Sequence, residues 1–308
     1  MPLARLNGIN INYQVEGQGE PLVMIMGFTA SRIGWMPQLR FFKKYYRVIT
    51  FDNRGVGKSD KPPGPYSTRM MAGDTVKLMD LLGIEKAHIM GLSMGGMIAQ
   101  ELAINYPQRV MKLVLASTYA RQDETSGDTL EQAKFLQLTP EKKVGAMVSL
   151  AFNKPLYRFT FGVLARVQTR FRGASGRIGI AGQSEACLNH NTLERLSLIM
   201  APTLVIVGTG DRIIKPVSSE VIAGKIPNAK LVKVEGGSHY FSFEMKKVFN
   251  REVLNFLKGD APRLNRLNTW STIPLLIRIP VIRFWLLLHP LFARHRRKVQ
   301  TASSSNSD

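Results

Sequence analysis

The feature that most constrains the fold is a regular alternation of short apolar runs with helical patterns. Each run ends in small or polar residues, as buried parallel strands do. The runs are "PLVMIMG", "YRVITFD", "AHIMGLS" and "MKLVLAST", and helical patterns separate them over residues 35–45, 70–82 and 94–106. Together with "INYQV", which alternates like an antiparallel strand, they predict a doubly wound, mostly parallel α/β sheet.

The alternation stops after Ser117 and resumes near residue 201. Residues 119–200 show no clear strand pattern and predict helices with loops. Beyond them, "PTLVIVGTGD" and "AKLVKVEGG" predict two further strands, with helices over residues 216–225 and 243–257. The predicted organisation is therefore a core of residues 1–118 and 201–260, an inserted helical cap of residues 119–200, and a C-terminal amphipathic extension of residues 261–308.

The positive charge of the chain is concentrated in two segments. The formal net charge is +20. Residues 142–184 contain eight Lys or Arg and no acid, and residues 261–308 contain eight more against Asp308 alone. Basic segments favour anionic lipid surfaces, nucleic acids or acidic ligands. Because no zinc-ligand set, helix-turn-helix pattern or RNA-binding signature accompanies the charge, we expect no nucleic-acid partner.

Cysteine content bears on the compartment. Cys187 is the one cysteine of the chain, so an internal disulfide is excluded and a reducing environment fits. The first residues carry no long apolar segment typical of a secretory signal. We therefore expect a cytoplasmic protein, and an apolar fraction of 44% is enough for a sizeable core.

A serine between glycines is the strongest chemical signal. Gly91, Ser93 and Gly95 follow a predicted strand and precede a predicted helix. A residue on so sharp a turn adopts strained backbone angles, and glycines two positions away relieve the crowding around it. The turn lifts the hydroxyl above the sheet edge, next to the amino end of a helix that favours negative charge. Ser93 is the predicted nucleophile.

A serine nucleophile needs a base and an acid to orient that base. His239 follows the last predicted strand, where a loop can reach the carboxyl edge of the sheet, and Asp211 ends the strand before it. The chain order of Ser93, Asp211 and His239 is the order that this architecture uses. Asp52 and Asp74 compete for the role of the acid but are less well placed.

An oxyanion hole requires two backbone amides directed at one point. The amide of Met94 follows the nucleophile, and the amide of Phe28 follows Gly27 in the loop after "LVMIMG". We expect these two amides to form the hole. The chemistry that these residues indicate requires no cofactor and no metal.

Five stretches together resemble the α/β-hydrolase superfamily. They are "MGFTAS", "FDNRGVGKSD", "GLSMGGMIAQELA", "VGTGDRIIKP" and "GGSHYF". The resemblance implies an eight-stranded, mostly parallel sheet with a helical cap and a Ser-His-Asp triad. Met26 stands where many relatives carry a histidine, which bears on the subfamily. Arg54 is expected to form a structural ion pair or hydrogen bond rather than to bind a substrate.

These residues predict a serine hydrolase that cleaves small carboxylic esters, with lipophilic or lipid esters as candidates. Hydrolysis of a thioester, a lactone or a carbon-carbon bond, and perhydrolysis, remain alternatives because they use the same triad. A catalytically silent binding protein with this fold is a further alternative.

Two segments raise the question of membrane contact. Arginines alternate with apolar residues over residues 157–171, which is typical of a cap helix packed on the core or of a helix on a membrane surface. Residues 271–298 combine Leu, Ile and Trp with arginines and prolines that disfavour simple spanning. They suggest a peripheral membrane anchor or an extension folded on protein.

Overall fold

The computed structural model describes residues 2–122, 138–171 and 173–259. Its centre is an eight-stranded sheet with the order β1-β2-β4-β3-β5-β6-β7-β8. Only the pairings of β1 with β2 and of β2 with β4 are antiparallel. The strands are β1 (Leu3–Leu6), β2 (Ile9–Glu16), β3 (Pro21–Ile25), β4 (Arg47–Phe51), β5 (Ala87–Leu92), β6 (Val110–Ala116), β7 (Thr203–Gly208) and β8 (Ala229–Val234).

Helices cover both faces of the sheet, as the doubly wound prediction requires. Apolar side chains of α2, α3 and α7 pack on one face, and those of α1 and α9 pack on the other. The helices are α1 (Met36–Phe42), α2 (Thr68–Leu81), α3 (Met94–Asn105), α4 (Pro140–Ala151), α5 (Pro155–Phe171), α6 (Gly173–Leu188), α7 (Pro216–Lys225), α8 (Phe241–Glu244) and α9 (Lys246–Lys258).

The continuous apolar runs of the central strands follow from this double coverage. In β3, Val23 and Ile25 enter the core under α2 and α3, whereas Leu22 and Met24 enter the core under α1 and α9. Successive side chains of a strand point to opposite faces, so a strand buried on both faces is apolar at every position. The eight-stranded, mostly parallel α/β fold is confirmed.

Local boundaries differ from the predicted ones at two places. Strand β1 was not predicted, because its four residues form an edge strand in which only alternate side chains are buried. The helix predicted over residues 243–257 is divided into α8 and α9 at Met245, whose backbone leaves the helical region with φ −120° and ψ 39°.

The described residues between β6 and β7 form helices, as predicted. Helices α4, α5 and α6 are followed by a 3-10 turn at Leu193–Leu198. Among the described residues, no helix is both long enough and apolar enough to cross a bilayer. The predicted extension of residues 261–308 and part of the predicted cap, residues 123–137, lie outside the described residues.

Candidate active site

Ser93 lies at the turn between β5 and α3, with φ 56° and ψ −123°. Residues other than glycine rarely adopt a positive φ. Such a backbone conformation costs about 1–3 kcal/mol and persists only where the surrounding structure imposes it. The side chain is 7% exposed, at the carboxyl edge of the sheet. The sharp turn predicted from the sequence is present at this serine.

Three glycines make the turn sterically feasible. A Cβ on Gly91 would collide with the carbonyl of Gly95, and a Cβ on Gly95 would collide with the carbonyl of Ile25. A Cβ on Gly27 would lie 3.1 Å from the Cβ of Ser93. The backbone after β3 therefore passes directly beside the serine.

Hydrogen bonds from the next strand hold the turn. The Ser93 amide donates to the carbonyl of Ala116 at 2.9 Å. The hydroxyl of Thr118 donates to the carbonyl of Ser93 at 2.9 Å. Both partners belong to β6 or to the residues just after it, so the neighbouring strand fixes the strained conformation.

Asp211 and His239 form a buried pair. The Nδ1 atom of His239 lies 2.8 Å from the Oδ2 atom of Asp211. The second carboxylate oxygen accepts the amides of Ile213 and Ile214, each at 2.9 Å. The side chain of Asp211 is fully buried and that of His239 is 6% exposed. Two amides therefore orient the carboxylate, and the carboxylate orients the imidazole ring.

Residues 237–240, here called the crossing segment, carry His239 and contact loops beyond two non-adjacent strands of the sheet. At one end, the carbonyl of Gly237 accepts the amide of Gly210, just beyond β7. At the other end, the hydroxyl of Tyr240 donates to the carbonyl of Gly34 at 2.9 Å, in the turn that follows β3. Strands β6 and β5 lie between β7 and β3. The crossing segment therefore contacts the loop beyond β7 and the turn beyond β3, which lie on the two sides of β5 and β6 in the strand order.

The sequence did not predict the role of Gln183 on α6. Its carbonyl oxygen accepts the amide of Thr29 at 2.8 Å, and its amide nitrogen donates to the carbonyl of Arg54 at 2.8 Å. The side chain is fully buried. It thus holds the backbone immediately after Phe28. A glutamine in a helical pattern carries no local signal of such a contact, since its partners are 129 and 154 residues away.

Met26, which precedes the proposed oxyanion loop, is buried in the core. Its side chain is 2% exposed and packs with Trp35 in the apolar core on the α1 side of the sheet. Its carbonyl accepts the side-chain amide of Asn53 at 2.8 Å. The loop after β3 is therefore held by the packing of Met26 and by side-chain hydrogen bonds to Asn53 and Gln183.

The competing acids serve other contacts. Asp74 forms a buried ion pair with Arg54, with N–O distances of 2.6 and 2.7 Å, which confirms the predicted structural role of this arginine. Asp52 accepts the backbone amides of Arg32 and Lys58. Among the described residues, the carboxylate that pairs with His239 is that of Asp211.

Two other histidines, His88 and His190, are buried and held by polar contacts. Nε2 of His88 lies 3.1 Å from a carboxylate oxygen of Glu20, and burial lowers its pKa. Nδ1 of His190 lies 2.9 Å from the hydroxyl of Thr68, and burial lowers its pKa to about 4. His190 is therefore neutral near pH 7 and packs inside a polar network.

Aromatic side chains line the region next to His239. The rings of Phe152 and Phe161 stack with centroids 4.7 Å apart. The ring of Tyr240 lies 5.4 Å from that of Phe152 in an edge-to-face arrangement. Tyr157 and Phe243 complete this aromatic cluster, which joins α4, α5 and the crossing segment.

The fold, the strained serine turn and the paired histidine and aspartate define a protein of the α/β-hydrolase class. A family model described as alpha/beta hydrolase fold matches residues 20–245. The chain belongs to this family.

Named relatives and solved structures share most of the chain. A protein named as a carbamate hydrolase, RutD of Azorhizobium caulinodans, is 30% identical over 262 residues, 83% of this chain and 98% of its own. The enol-lactonase of Burkholderia xenovorans LB400 is 28% identical with a TM-score of 0.74 over 83% of this chain and all of its own. Est816, described as an N-acyl homoserine lactone degrading enzyme, is 27% identical with a TM-score of 0.76 over the same shares.

The strain at Ser93 predicts a difference between two substitutions. Ser93→Gly removes the Cβ that opposes a positive φ, whereas Ser93→Ala removes only the hydroxyl. We expect the free energy of unfolding of the glycine variant to be about 1–2 kcal/mol larger than that of the alanine variant. Urea unfolding of the two variants measures the difference, and equal stabilities would contradict strain at this residue.

Proposed function

We propose that the protein hydrolyses carboxylic esters with Ser93 as nucleophile, His239 as general base and Asp211 as the acid that orients it. The observation that supports the proposal is the buried pair of His239 and Asp211, together with the strained turn of Ser93. The three residues follow the ends of β5, β7 and β8, where functional side chains of an open parallel sheet gather.

The proton movements follow from the orientation of the imidazole. Because Nδ1 faces the carboxylate of Asp211, Nε2 is the atom available to accept the proton of the Ser93 hydroxyl. The serine oxygen then bonds to the substrate carbonyl carbon. His239 returns the proton to the departing alcohol, and an acyl-enzyme remains. Water, deprotonated by the same imidazole, cleaves the acyl-enzyme and regenerates the serine.

Negative charge on the carbonyl oxygen requires donors in place before the reaction. We assign these donors to the amides of Met94, the first residue of α3, and Phe28, beside Gly27. Gln183 supports the second donor because it binds the next amide, that of Thr29. Its helix belongs to the segment that we interpret as the cap, so the cap contributes to the geometry of the loop.

The names of the relatives support hydrolysis of an ester-like bond. The side chains near His239 indicate which groups of the substrate lie beside that bond. Lactones are cyclic carboxylic esters, so the two lactone-named enzymes favour a lactone as a second candidate substrate. The relative named as a carbamate hydrolase extends the candidates to carbamates. The aromatic cluster beside His239 favours a substrate with an apolar group.

Residues 271–298 lie outside the described residues, and a peripheral membrane contact through them stays a proposal. It is supported by their sequence alone, in which apolar residues are followed by "RHRRK". A cytoplasmic location is likewise proposed from the sequence.

Ser93→Ala tests the assignment of the nucleophile. We expect turnover of p-nitrophenyl acetate to fall by at least about four orders of magnitude, because the variant lacks the hydroxyl that forms the acyl-enzyme. A fluorophosphonate probe should label the natural chain and not the variant. Ser219→Ala, which removes another buried hydroxyl on α7, is the matched control and should keep both activities. A natural chain that stays unlabelled and inactive on all substrates would indicate a silent binding protein instead.

A substrate series separates the candidate reactions. We expect kcat/KM on p-nitrophenyl esters to rise with acyl length, because the aromatic cluster can bury additional methylenes at about 0.8 kcal/mol each. Monoacylglycerols, a γ-lactone, a thioester and a phenyl carbamate are assayed in parallel with the Ser93→Ala variant as blank. A preference for the carbamate or the lactone over every open-chain ester would assign the alternative substrate.

Gln183→Met tests the support of the oxyanion loop. Methionine keeps the length of the side chain but cannot bind the Thr29 amide, so we expect kcat to fall about ten- to a hundredfold with KM nearly unchanged. Ser184→Ala on the same helix removes a buried hydroxyl that has no partner among the described residues and should leave kcat unchanged. Equal kcat in Gln183→Met and the natural chain would remove this role.

A further inference from the structure

We propose that the outer face of α5 binds the surface of an anionic membrane. The two most exposed large apolar side chains among the described residues are Phe159, at 71%, and Leu156, at 65%, and both lie on this helix. Val163 is 44% exposed and continues the same face at helical spacing. Isolated exposed apolar residues are common, but a run along one face of a helix marks an interaction surface.

The opposite face of the same helix is already occupied. Tyr157 and Phe161 contact Phe243 at ring-centroid distances of 5.5 and 5.2 Å. Phe161 also stacks on Phe152. The alternative interpretations of this segment therefore apply to different faces: one face packs on the protein, and the other presents apolar side chains to the outside.

Charge favours a lipid surface as the occupant. Residues 142–184, which include the whole of α5, contain eight basic residues and no acid. Lys154 and Arg158 are exposed beside the apolar face, and Arg158 forms no ion pair with another described residue. A sheet of anionic headgroups matches such a surface without requiring a shaped partner, and basic side chains reach the phosphates while apolar ones enter the acyl boundary.

The position of α5 connects this surface to the candidate active site. Its inner aromatic side chains belong to the cluster that includes Tyr240, the residue after His239. A lipophilic molecule in the outer layer of a membrane would therefore lie near the aromatic cluster beside His239. This link rests on the proposed hydrolysis, whereas the membrane surface itself does not.

A fluorescent probe at position 159 of the full chain tests the contact directly. Phe159→Cys is labelled with an environment-sensitive nitrobenzoxadiazole dye. Burial raises the pKa of Cys187 to about 12, which disfavours its labelling, and the natural chain treated with the same dye measures any label at Cys187. We expect vesicles of phosphatidylcholine with phosphatidylglycerol to shift the emission to the blue, and spin-labelled lipid to quench it. Pure phosphatidylcholine vesicles should have a much smaller effect. The matched control is Met200→Cys, a position 63% exposed just before β7, whose dye should stay in water.

A second substitution measures the contribution of the apolar face. Leu156→Ser in the labelled chain should weaken vesicle affinity about tenfold, whereas Leu81→Ser, at a residue 55% exposed on α2, should not. Vesicle binding with the dye at 159 still in water would assign the contact to another segment and overturn the proposal. Blue-shifted emission of the dye in the absence of lipid would also overturn the proposal, because it would indicate that a second copy or the chain's own extension covers this face. The measurement requires no turnover, so its outcome is independent of the proposed hydrolysis.

Discussion

The arrangement of the candidate site depends on one strained residue, Ser93, at the end of the central strand β5. Its positive φ is tolerated because Gly91, Gly95 and Gly27 leave no side-chain atoms where the neighbouring backbones meet. The hydrogen bonds from Ala116 and Thr118 then hold the conformation that these glycines permit. The sheet supplies the rigid frame on which the strain is imposed, and for this reason the hydroxyl sits at an edge rather than in the core.

The proposed base, His239, and the proposed acid, Asp211, depend on a different kind of constraint, which is set by backbone contacts rather than by strain. Asp211 is fixed by the amides of its own turn, whereas His239 is held on a segment anchored at both ends. Burial raises the pKa of the Tyr240 phenol, so its hydroxyl stays protonated and continues to donate to Gly34. An anchored crossing brings residues that are far apart in the chain to one edge of the sheet.

Much of the fold was predictable because its signals are local. Each buried parallel strand appears as an apolar run, and the turn at Ser93 appears as a serine between glycines. Strand β1 escaped prediction because half of its four residues face solvent, and the role of Gln183 escaped because its partners belong to remote loops. The pair of Asp211 and His239 could be proposed from chain order alone, but the crossing that carries the histidine depends on contacts with Gly34 that no local pattern encodes.

The attachment of Tyr240 has a consequence for how members of this family diversify. Its amide donates to the carbonyl of Ala151 at the end of α4, and its hydroxyl donates to Gly34 in the core. Recombination that exchanges the inserted helices for those of a relative therefore also replaces one of the contacts that hold the crossing segment and the proposed base, His239. Chimeras that keep Ala151 and Phe152 of this protein should gain the substrate selectivity of the new helices and keep hydrolytic activity. Chimeras joined between these two residues should lose activity.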